Sequence, residues 1–360
     1  MFSILFTFVV PTLVLLSILV FVHELGHFLV AKKIGVKVEE FGFGLPPRLW
    51  GKQFGETIYS INWLPIGGFV RLLGEDVEED EVIIAGKAEK RRYFWARSKK
   101  ERAAVLLAGV AMNFTLAVII SSFIFMRGVY VPTQRVHVVK VTPGSPADQA
   151  GLREKDVIKT FGGRSITTVE DLITITKAEG GKETEVKIVR GTEEETFKIT
   201  PRKEPPANEG PLGVAISNLE EKKCVWYAAP YCGLTDSIEV TYQMATALLT
   251  LVYKLITFQA VGVDVAGPIG IAHAAGEAVK EGLTPYFRLM GIVSLNLALI
   301  NALPIPALDG GRLLFVVLEK ALGRRVKPQA ERLVHQIGML ILLALIALVT
   351  INDILRLVKG

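Results

Sequence analysis

Long apolar runs separated by polar stretches dominate the 360-residue chain. A continuous apolar run of about 20 residues is long enough to cross the hydrocarbon core of a bilayer as a helix. Runs of this kind predict transmembrane segments over residues 1–33, 103–127, 286–311 and 333–354. The hydrophobic fraction of 50% is also too high for an ordinary soluble enzyme. We therefore expect a polytopic α-helical membrane protein with four transmembrane helices.

Basic residues cluster in the segments 34–102 and 312–332, close to the apolar runs. Because cytoplasmic loops carry an excess of Lys and Arg, both segments are predicted to be cytoplasmic, with the N-terminus outside. The formal net charge of +5 is modest. Its distribution indicates membrane topology rather than a nucleic-acid surface, so we expect no nucleic-acid partner. The first run has no basic n-region and no small-residue cleavage site, so we expect it to be a retained span rather than a signal peptide.

The cytoplasmic segment 34–102 contains two strand-like apolar stretches, 41–44 and 61–72, which Gly and Pro interrupt. A strand that dips beside a membrane site can offer its open edge to an extended peptide. Two ordinary surface hairpins explain the same pattern, so both interpretations stay open. The acidic run 75–81 is interpreted as a solvated loop.

The segment 133–218 predicts a soluble α+β domain, because short strands alternate with turns and two short helices. The predicted strands cover 136–141, 156–161 and 185–190, and the predicted helices cover 145–152 and 168–178.

The segment 219–285 predicts a linker and an amphipathic surface helix on the outer side of the membrane. Apolar residues recur at helical spacing over 238–258, but Glu239, Gln243 and Lys254 interrupt them. A span here would require a further span to restore the topology.

His23, Glu24 and His27 form an H-E-x-x-H pattern near the inner end of the first predicted span. Two histidines four apart on a helix turn by about 400°, so both imidazoles leave the same face and can bind one Zn²⁺. Glu24 then lies beside the metal as a general base. A lone buried histidine is more often a satisfied core residue. Two histidines and a glutamate in one turn of a span are costly, however, and this favours a metal site.

Asp309 follows the third apolar stretch at membrane depth. Pro304 and Pro306 end regular helix, and Gly310 and Gly311 permit tight turning, so we expect irregular backbone to present this carboxylate. The basic residues that follow predict the cytoplasmic face, which is also the face of the two histidines. A lone carboxylate at that depth is expensive, whereas a carboxylate that serves as a third zinc ligand is paired.

Other polar residues carry less information. Asn113 in the second predicted span is expected to bond a neighbouring helix rather than the metal site. Cys224 and Cys232 are too few for a structural zinc site, and a disulfide and two free thiols stay equally open.

The motifs at the two ends of the chain resemble those of the site-2 protease family of intramembrane zinc metalloproteases. They are H-E-L-G-H at residues 23–27 and N-A-L-P-I-P-A-L-D-G at residues 301–310. The resemblance covers nearly the whole chain and is greatest to the bacterial RseP/RasP type. Between the motifs, P-G-S-P-A at 143–147, A-G-L at 150–152 and D-V-I at 156–158 resemble a circularly permuted bacterial PDZ domain. The insert has room for a single PDZ domain.

The resemblance implies Zn²⁺ as the cofactor, with His23, His27 and Asp309 as its ligands and Glu24 as the catalytic carboxylate. Residues 61–72 resemble the family's membrane-reentrant β-loop, and residues 267–272 resemble its segment before the third span. Two asparagines and four glycines are implied to lie near bound substrate: Asn301, Asn296, Gly42, Gly44, Gly67 and Gly68.

The implied function is intramembrane proteolysis in the bacterial inner (cytoplasmic) membrane. The expected substrates are single-span membrane proteins, such as anti-sigma factors after a first cleavage, and signal-peptide remnants. The PDZ domain is expected outside the cytoplasm, where it takes peptide or protein ends, and the active site near the cytoplasmic face. Two other functions fit the residues: a membrane-anchored metalloprotease acting on soluble loops, and a non-catalytic membrane PDZ scaffold.

Overall fold

The computed structural model describes residues 5–75, 91–206, 209–257, 259, 267–324 and 326–359. The chain forms two compact units, one of residues 1–126 and 225–360 and the other of residues 127–224. Within the described ranges, four helices are long and apolar enough to cross a membrane, which confirms the predicted number. They cover Phe6–Ile34, Lys99–Arg127, Leu283–Ala302 and Gln329–Leu355.

The first unit begins with a π-helical turn, Leu5–Val9, that leads into helix α1, Val10–Ile34. Pro11 lies at the second position of α1, next to the junction with the π-helical turn. Gly35 ends the helix in the left-handed conformation, with φ +80°. Strands β1, Val38–Phe54, and β2, Thr57–Leu72, follow, and after them a short 3₁₀ turn at Phe94–Ala96 and helix α2, Lys99–Arg127.

Strands β1 and β2 form an antiparallel hairpin that is bent back on itself. Gly42 in β1 is paired with Ser60 on one side and with Phe69 on the other, so the two halves of β2 flank the first half of β1. Gly44 and Gly67, with φ +78° and +75°, supply the left-handed backbone that such bends require. The two predicted strand-like stretches are therefore parts of longer strands.

The bent part of β2 runs along helix α1. Ser17 Oγ donates a hydrogen bond to the carbonyl oxygen of Pro65 at 2.6 Å. A Cβ atom at Gly67 would lie 2.9 Å from Val20 Cγ1. Both contacts lie N-terminal to His23, inside the apolar length of the helix. Many of the exposed side chains of this hairpin are large and apolar, although Arg48, Lys52 and Gln53 are exposed as well, and this share of apolar surface favours a membrane-embedded loop over two surface hairpins. The large apolar side chains include Leu45, Leu49, Trp50, Ile61, Trp63, Leu64 and Ile66.

The predicted acidic loop 75–81 lies outside the described residues except for Glu75. The carboxylate of Glu75 accepts a hydrogen bond from the guanidinium of Arg312, so this residue is paired rather than solvated.

The described residues of the second unit form an antiparallel sheet with two helices. Its elements in chain order are β3, Val129–Val141; α3, Pro146–Gln149; β4, Val157–Phe161; β5, Arg164–Ser165; α4, Val169–Ala178; β6, Thr184–Arg190; β7, Glu193–Ile199; and β8, Val214–Lys222. The strand order is β7-β6-β4-β3-β8, with β5 paired to β4. The predicted strands and helices of this α+β insert are confirmed, although β3 begins before residue 133 and β8 ends after residue 218.

Apolar side chains from the strands and from α4 build the core of this unit, among them Val136, Ile158, Phe161, Leu172 and Ile188. The N-terminus of α4 carries a capping box between Thr168 and Asp171. Hydrogen bonds from Thr167 and Thr168 hold the pKa of the Asp171 carboxyl below its usual range. The buried Asp156 carboxylate accepts two hydrogen bonds of 2.8 Å from Arg190.

In its described residues after position 224, the first unit has five helices. They are α5, Ala229–Ile256; α6, Pro268–Glu281; α7, Leu283–Ala302; α8, Asp309–Leu322; and α9, Pro328–Lys359. Helix α5 is not one of the four candidate spans in the described part of the chain, and its place on the membrane surface stays a prediction. Residue 258 of the predicted helix lies outside the described residues. Helix α8 lies mostly where a cytoplasmic loop is predicted, and α7 ends nine residues before the predicted end of the third transmembrane segment.

A buried carboxylate of the last helix explains the G-P-I-G sequence at residues 267–270. Asp353 Oδ1 and Oδ2 accept hydrogen bonds from the backbone N–H groups of Gly267, at 3.2 Å, and Gly270, at 2.8 Å. These groups lie at the N-terminus of α6, where backbone donors have no partner within the helix. Asp353 therefore caps α6 and fastens α9 to it.

Cys224 and Cys232 are disulfide-bonded, which decides between the two states that the sequence leaves open.

Candidate metal centre

Helix α1 presents His23 and His27 on one face, as their spacing predicts. Their Nε2 atoms are 3.1 Å apart, and both side chains are buried. The short Ala108–Gly109 region of α2 packs against this face. A Cβ atom at Gly26 would lie 2.7 Å from the carbonyl carbon of Ala108, so glycine at position 26 allows the two helices to approach closely.

Asp309 brings a carboxylate to the two imidazoles from the other end of the chain. Its Oδ2 atom lies 2.9 Å from His23 Nε2 and 3.2 Å from His27 Nε2. The expectation of irregular backbone at Asp309 is wrong, because this residue begins helix α8. The irregular turn precedes it, where Ala307 has φ +75° and its N–H donates to His335 Nδ1 at 2.8 Å.

Gly310 and Gly311 serve close packing rather than turning. Both lie in the first turn of α8. A Cβ atom at Gly310 would lie 2.6 Å from the carbonyl carbon of Leu303, and one at Gly311 would lie 2.9 Å from that of Ile305. Without side chains, these residues let α8 start directly against the preceding turn, which places the Asp309 carboxylate at the histidines.

The donor atoms of His23, His27 and Asp309 all lie within 4.8 Å of one another. Two imidazole nitrogens and one carboxylate oxygen are a donor set that catalytic zinc sites use, with the fourth coordination position left to water or substrate. The observed set therefore fits the zinc ion that the sequence motif predicts.

Helix α2 supplies contacts behind the ligands that the sequence does not reveal. The Nδ1 atom of His27 lies 2.8 Å from the carbonyl oxygen of Val105, which orients the ring. A Cβ atom at Gly109 would lie 2.6 Å from His23 Cε1 and closer still to His27 Nε2. Both residues are apolar, so hydropathy marks them as ordinary span residues. The one sequence signal for these contacts is the four-residue interval between Val105 and Gly109, which places both residues on one face of α2.

Asn113 is also part of this centre. Its Nδ2 atom lies 3.4 Å from His23 Nδ1. The expectation that its side chain bonds a neighbouring helix instead of the site is therefore wrong. The contact to the neighbouring helix is made by its backbone, since Ser294 Oγ donates to the carbonyl oxygen of Asn113 at 2.8 Å.

Glu24 points toward strand β2. Its Oε2 atom accepts a hydrogen bond from the backbone N–H of Val70 at 3.1 Å. A Cβ atom at Gly68 would lie 3.9 Å from Glu24 Cγ and 2.9 Å from the carbonyl oxygen of Gly42. The hairpin thus borders the H-E-x-x-H turn, with Gly42 and Gly68 on neighbouring strands beside it.

The two asparagines of α7 occupy different surfaces. Asn301 is half-buried in the last turn of the helix, and Asn296 is exposed. Five residues along an α-helix correspond to a rotation of about 140°, so these side chains leave different faces of α7. A role for both in binding one extended substrate stays a prediction.

Comparisons with known proteins agree with this geometry. The profile of Peptidase family M50 matches residues 11–345, a range that contains His23, His27 and Asp309. The regulator of sigma-W protease RasP of Bacillus subtilis is 30% identical over 423 residues, an alignment that covers 97% of this chain and 98% of the relative. The zinc metalloprotease RasP of Oceanobacillus iheyensis is 29% identical over 428 residues, with 98% of this chain and 99% of the relative covered.

A crystal structure of the PDZ domain of an SdrC-like protein from Listeria monocytogenes aligns with 24% of this chain and 93% of its own. The identity is 19% and the TM-score 0.22. The PDZ fold of the second unit stays a prediction from the sequence.

Proposed function

The chain belongs to peptidase family M50, the site-2 protease family of zinc metalloproteases, and from this membership we propose that it cuts single-span membrane proteins within or near their transmembrane segments. One observation carries the proposal. His23 and His27 in one apolar helix meet Asp309, which follows the end of another by seven residues, with 2.9 and 3.2 Å between the donor atoms. Three ligands with an open fourth position are typical of hydrolytic zinc sites. The place of both histidines on a span helix favours a substrate that lies in the membrane.

In the proposed reaction, His23, His27 and Asp309 would hold the zinc ion. When bound there, zinc would supply the Lewis acidity that activates water near neutral pH and polarises the substrate carbonyl. Glu24 takes a proton from the attacking water and returns it to the leaving amine. The hydrogen bond from Val70 N–H holds one Glu24 oxygen, which leaves the other for proton transfer.

The hairpin supplies the proposed substrate surface. A helical substrate hides its carbonyl groups in internal hydrogen bonds, so it must unwind before it is cut. Residues 68–72 form the side of the hairpin that faces Glu24, and the N–H of Val70 points out of the ladder toward it. An unwound substrate strand that pairs with this edge regains hydrogen bonds that unwinding breaks. Gly42, Gly44, Gly67 and Gly68 would then act by shaping this edge.

Charge and the cysteines support the proposed sidedness. The basic segments 34–102 and 312–332 support a cytoplasmic placement of the hairpin and of the metal end of α1. Disulfides persist in oxidising compartments outside the bacterial cytoplasm, so the disulfide-bonded Cys224 and Cys232 support an external placement of the second unit. In this unit β8 is an edge strand next to β3, and we propose that it receives the ends of peptides or trimmed proteins.

The proposed substrates are anti-sigma factors that a first protease has already trimmed, and signal-peptide remnants. The Bacillus subtilis relative is named regulator of sigma-W protease, and this name supports the first class.

The test is cleavage by the purified full-length protein in detergent. A panel of single-span substrates, trimmed and untrimmed, is compared with a soluble loop peptide of matched sequence. We expect cleavage of the trimmed membrane substrates, its loss with a zinc chelator and its return with added zinc. Preferential cleavage of the soluble peptide would instead support a protease that acts on soluble loops. Purified protein that neither binds zinc nor cleaves any substrate would support a non-catalytic scaffold.

A further inference from the structure

Helix α2 faces the metal centre with three residues spaced by four. Val105, Gly109 and Asn113 lie on one side of the helix, because four residues turn an α-helix by about 400°. Each of them meets a histidine of α1: Val105 contacts His27, Gly109 lies against both rings, and Asn113 contacts His23. The pair of histidines at an interval of four is thus matched by a complementary strip on α2.

The Val105 contact fixes the proton of His27. A backbone carbonyl can only accept, so the hydrogen bond to Val105 O requires the ring proton to be on Nδ1. The lone pair of Nε2 then points toward Asp309 Oδ2, 3.2 Å away. Histidine ligands of metals are commonly oriented in this way by an acceptor behind the ring.

His23 requires the same arrangement, and Asn113 is the group behind its ring. An amide can face the ring with its nitrogen or with its oxygen. With the nitrogen toward His23, Nδ1 must be an acceptor, and the neutral ring then carries its proton on Nε2, where the metal should bind. In that orientation no donor among the described residues reaches the buried Asn113 Oδ1. With the oxygen toward His23, Nδ1–H has its acceptor and Nε2 keeps its lone pair.

We propose that Asn113 is a positioning residue whose side-chain oxygen accepts the Nδ1–H of His23 and so sets this ligand for zinc. Asn113 is fully buried, so water does not replace it as the acceptor. The bond from Ser294 Oγ to its backbone carbonyl joins α2 to α7 at the same residue. The inference rests on the proposed zinc site but concerns metal affinity, which is measured without substrate.

Two substitutions separate the acceptor role from a merely structural one. Asn113→Asp keeps a side-chain acceptor and removes both amide donors, whereas Asn113→Leu keeps the approximate shape and removes the acceptor. Thr115→Val is the matched control on the same helix, because the Thr115 hydroxyl is exposed and bonds the carbonyl oxygen of Ala111 in its own helix.

The measurement is zinc affinity of the metal-free, full-length protein in detergent, by competition with a chromophoric chelator, together with the visible spectrum of the Co²⁺ form. We expect Asn113→Leu to weaken zinc binding by about 10- to 100-fold and to alter the Co²⁺ bands, with Asn113→Asp within about threefold of wild type or tighter. Thr115→Val should match wild type. Both variants lack the amide N–H donors, and only Asn113→Asp keeps a side-chain acceptor. Retained zinc affinity in Asn113→Asp with lost affinity in Asn113→Leu therefore identifies the acceptor, because a role for the amide donors would lower the affinity in both variants.

Unchanged zinc affinity in Asn113→Leu would overturn the proposal, and so would equal losses in Asn113→Leu and Asn113→Asp. If the leucine variant does not fold, Asn113→Asp decides alone, with retained affinity supporting the acceptor role and lost affinity contradicting it. The proposed function has a different contradicting result, which is a wild-type protein that binds no zinc.

Discussion

The Glu24 carboxylate accepts a hydrogen bond from the backbone N–H of Val70, with 3.1 Å between oxygen and nitrogen. This bond joins the proposed general base to the strand that we propose as the substrate edge. Glu24 is on the helix that carries the histidines, and Val70 is in the hairpin that runs beside it. Positioning of the base and presentation of the substrate strand therefore depend on one contact.

Val70→Pro tests this contact. Proline removes the N–H but is tolerated at a strand edge where the N–H points away from the ladder. We expect kcat to fall about tenfold, a part of the 10²–10⁴-fold that a positioned general base contributes. Zinc content, measured by atomic emission, should not change. Val70→Ala keeps the N–H and serves as the control, so an equal loss of kcat in Val70→Ala would refute a role for the N–H.

Gly109→Ala should empty the metal site. The new Cβ would lie 2.6 Å from His23 Cε1 and nearer to His27 Nε2, so the rings would have to move from Asp309. The expected loss of zinc affinity is at least about 100-fold, greater than is typical when an outer-shell partner is removed.

Gly291→Ala is the matched control for Gly109→Ala, because a Cβ at this buried helix position meets Ile120 Cγ2 at an ordinary 3.5 Å. Chelator competition on both variants decides the matter. Wild-type zinc affinity in Gly109→Ala would show that α2 does not press on the ligands as described.

Asp353→Ala should destabilise the first unit without changing its zinc affinity. It removes a carboxylate that accepts from Gly267 and Gly270 at the start of α6. Hydrogen bonds to a charged group contribute about 1.5–3 kcal/mol, so the melting temperature should fall by several degrees. Asp353→Asn keeps one acceptor and should lose less. Thr350→Val, which removes a bond within α9 itself, is the control. Melting temperatures that do not follow this order would argue against the cap.

Particular residues explain how far sequence reasoning reached. His23 and His27 could be placed together because a four-residue interval fixes their relative direction on any helix. Asp309 could be assigned to the same membrane face from the charges that follow it. The helical start at Asp309 was not predictable, because its two glycines lower helix propensity and their value lies in close contact with the preceding turn.

The contacts of α2 could not be predicted for a different reason. An almost uniformly apolar span has no amphipathic pattern to show which face meets its neighbour, so Gly109 resembles any small span residue and Asn113 any polar one. The bend of the hairpin also escaped prediction, because alternation along a strand does not say which partner lies on each side. Both features depend on tertiary packing, which becomes visible only when the elements are assembled.

The central claim is that Glu24 and a zinc ion held by His23, His27 and Asp309 cleave a membrane-spanning substrate. Its most direct test compares wild type with Glu24→Gln on one trimmed single-span substrate in detergent, with zinc content measured in the same preparations. We predict one zinc per chain in both proteins, cleavage by wild type that a chelator abolishes, and a loss of cleavage rate of at least about 100-fold in Glu24→Gln. Full cleavage by zinc-loaded Glu24→Gln, or chelator-resistant cleavage by wild type, would contradict it.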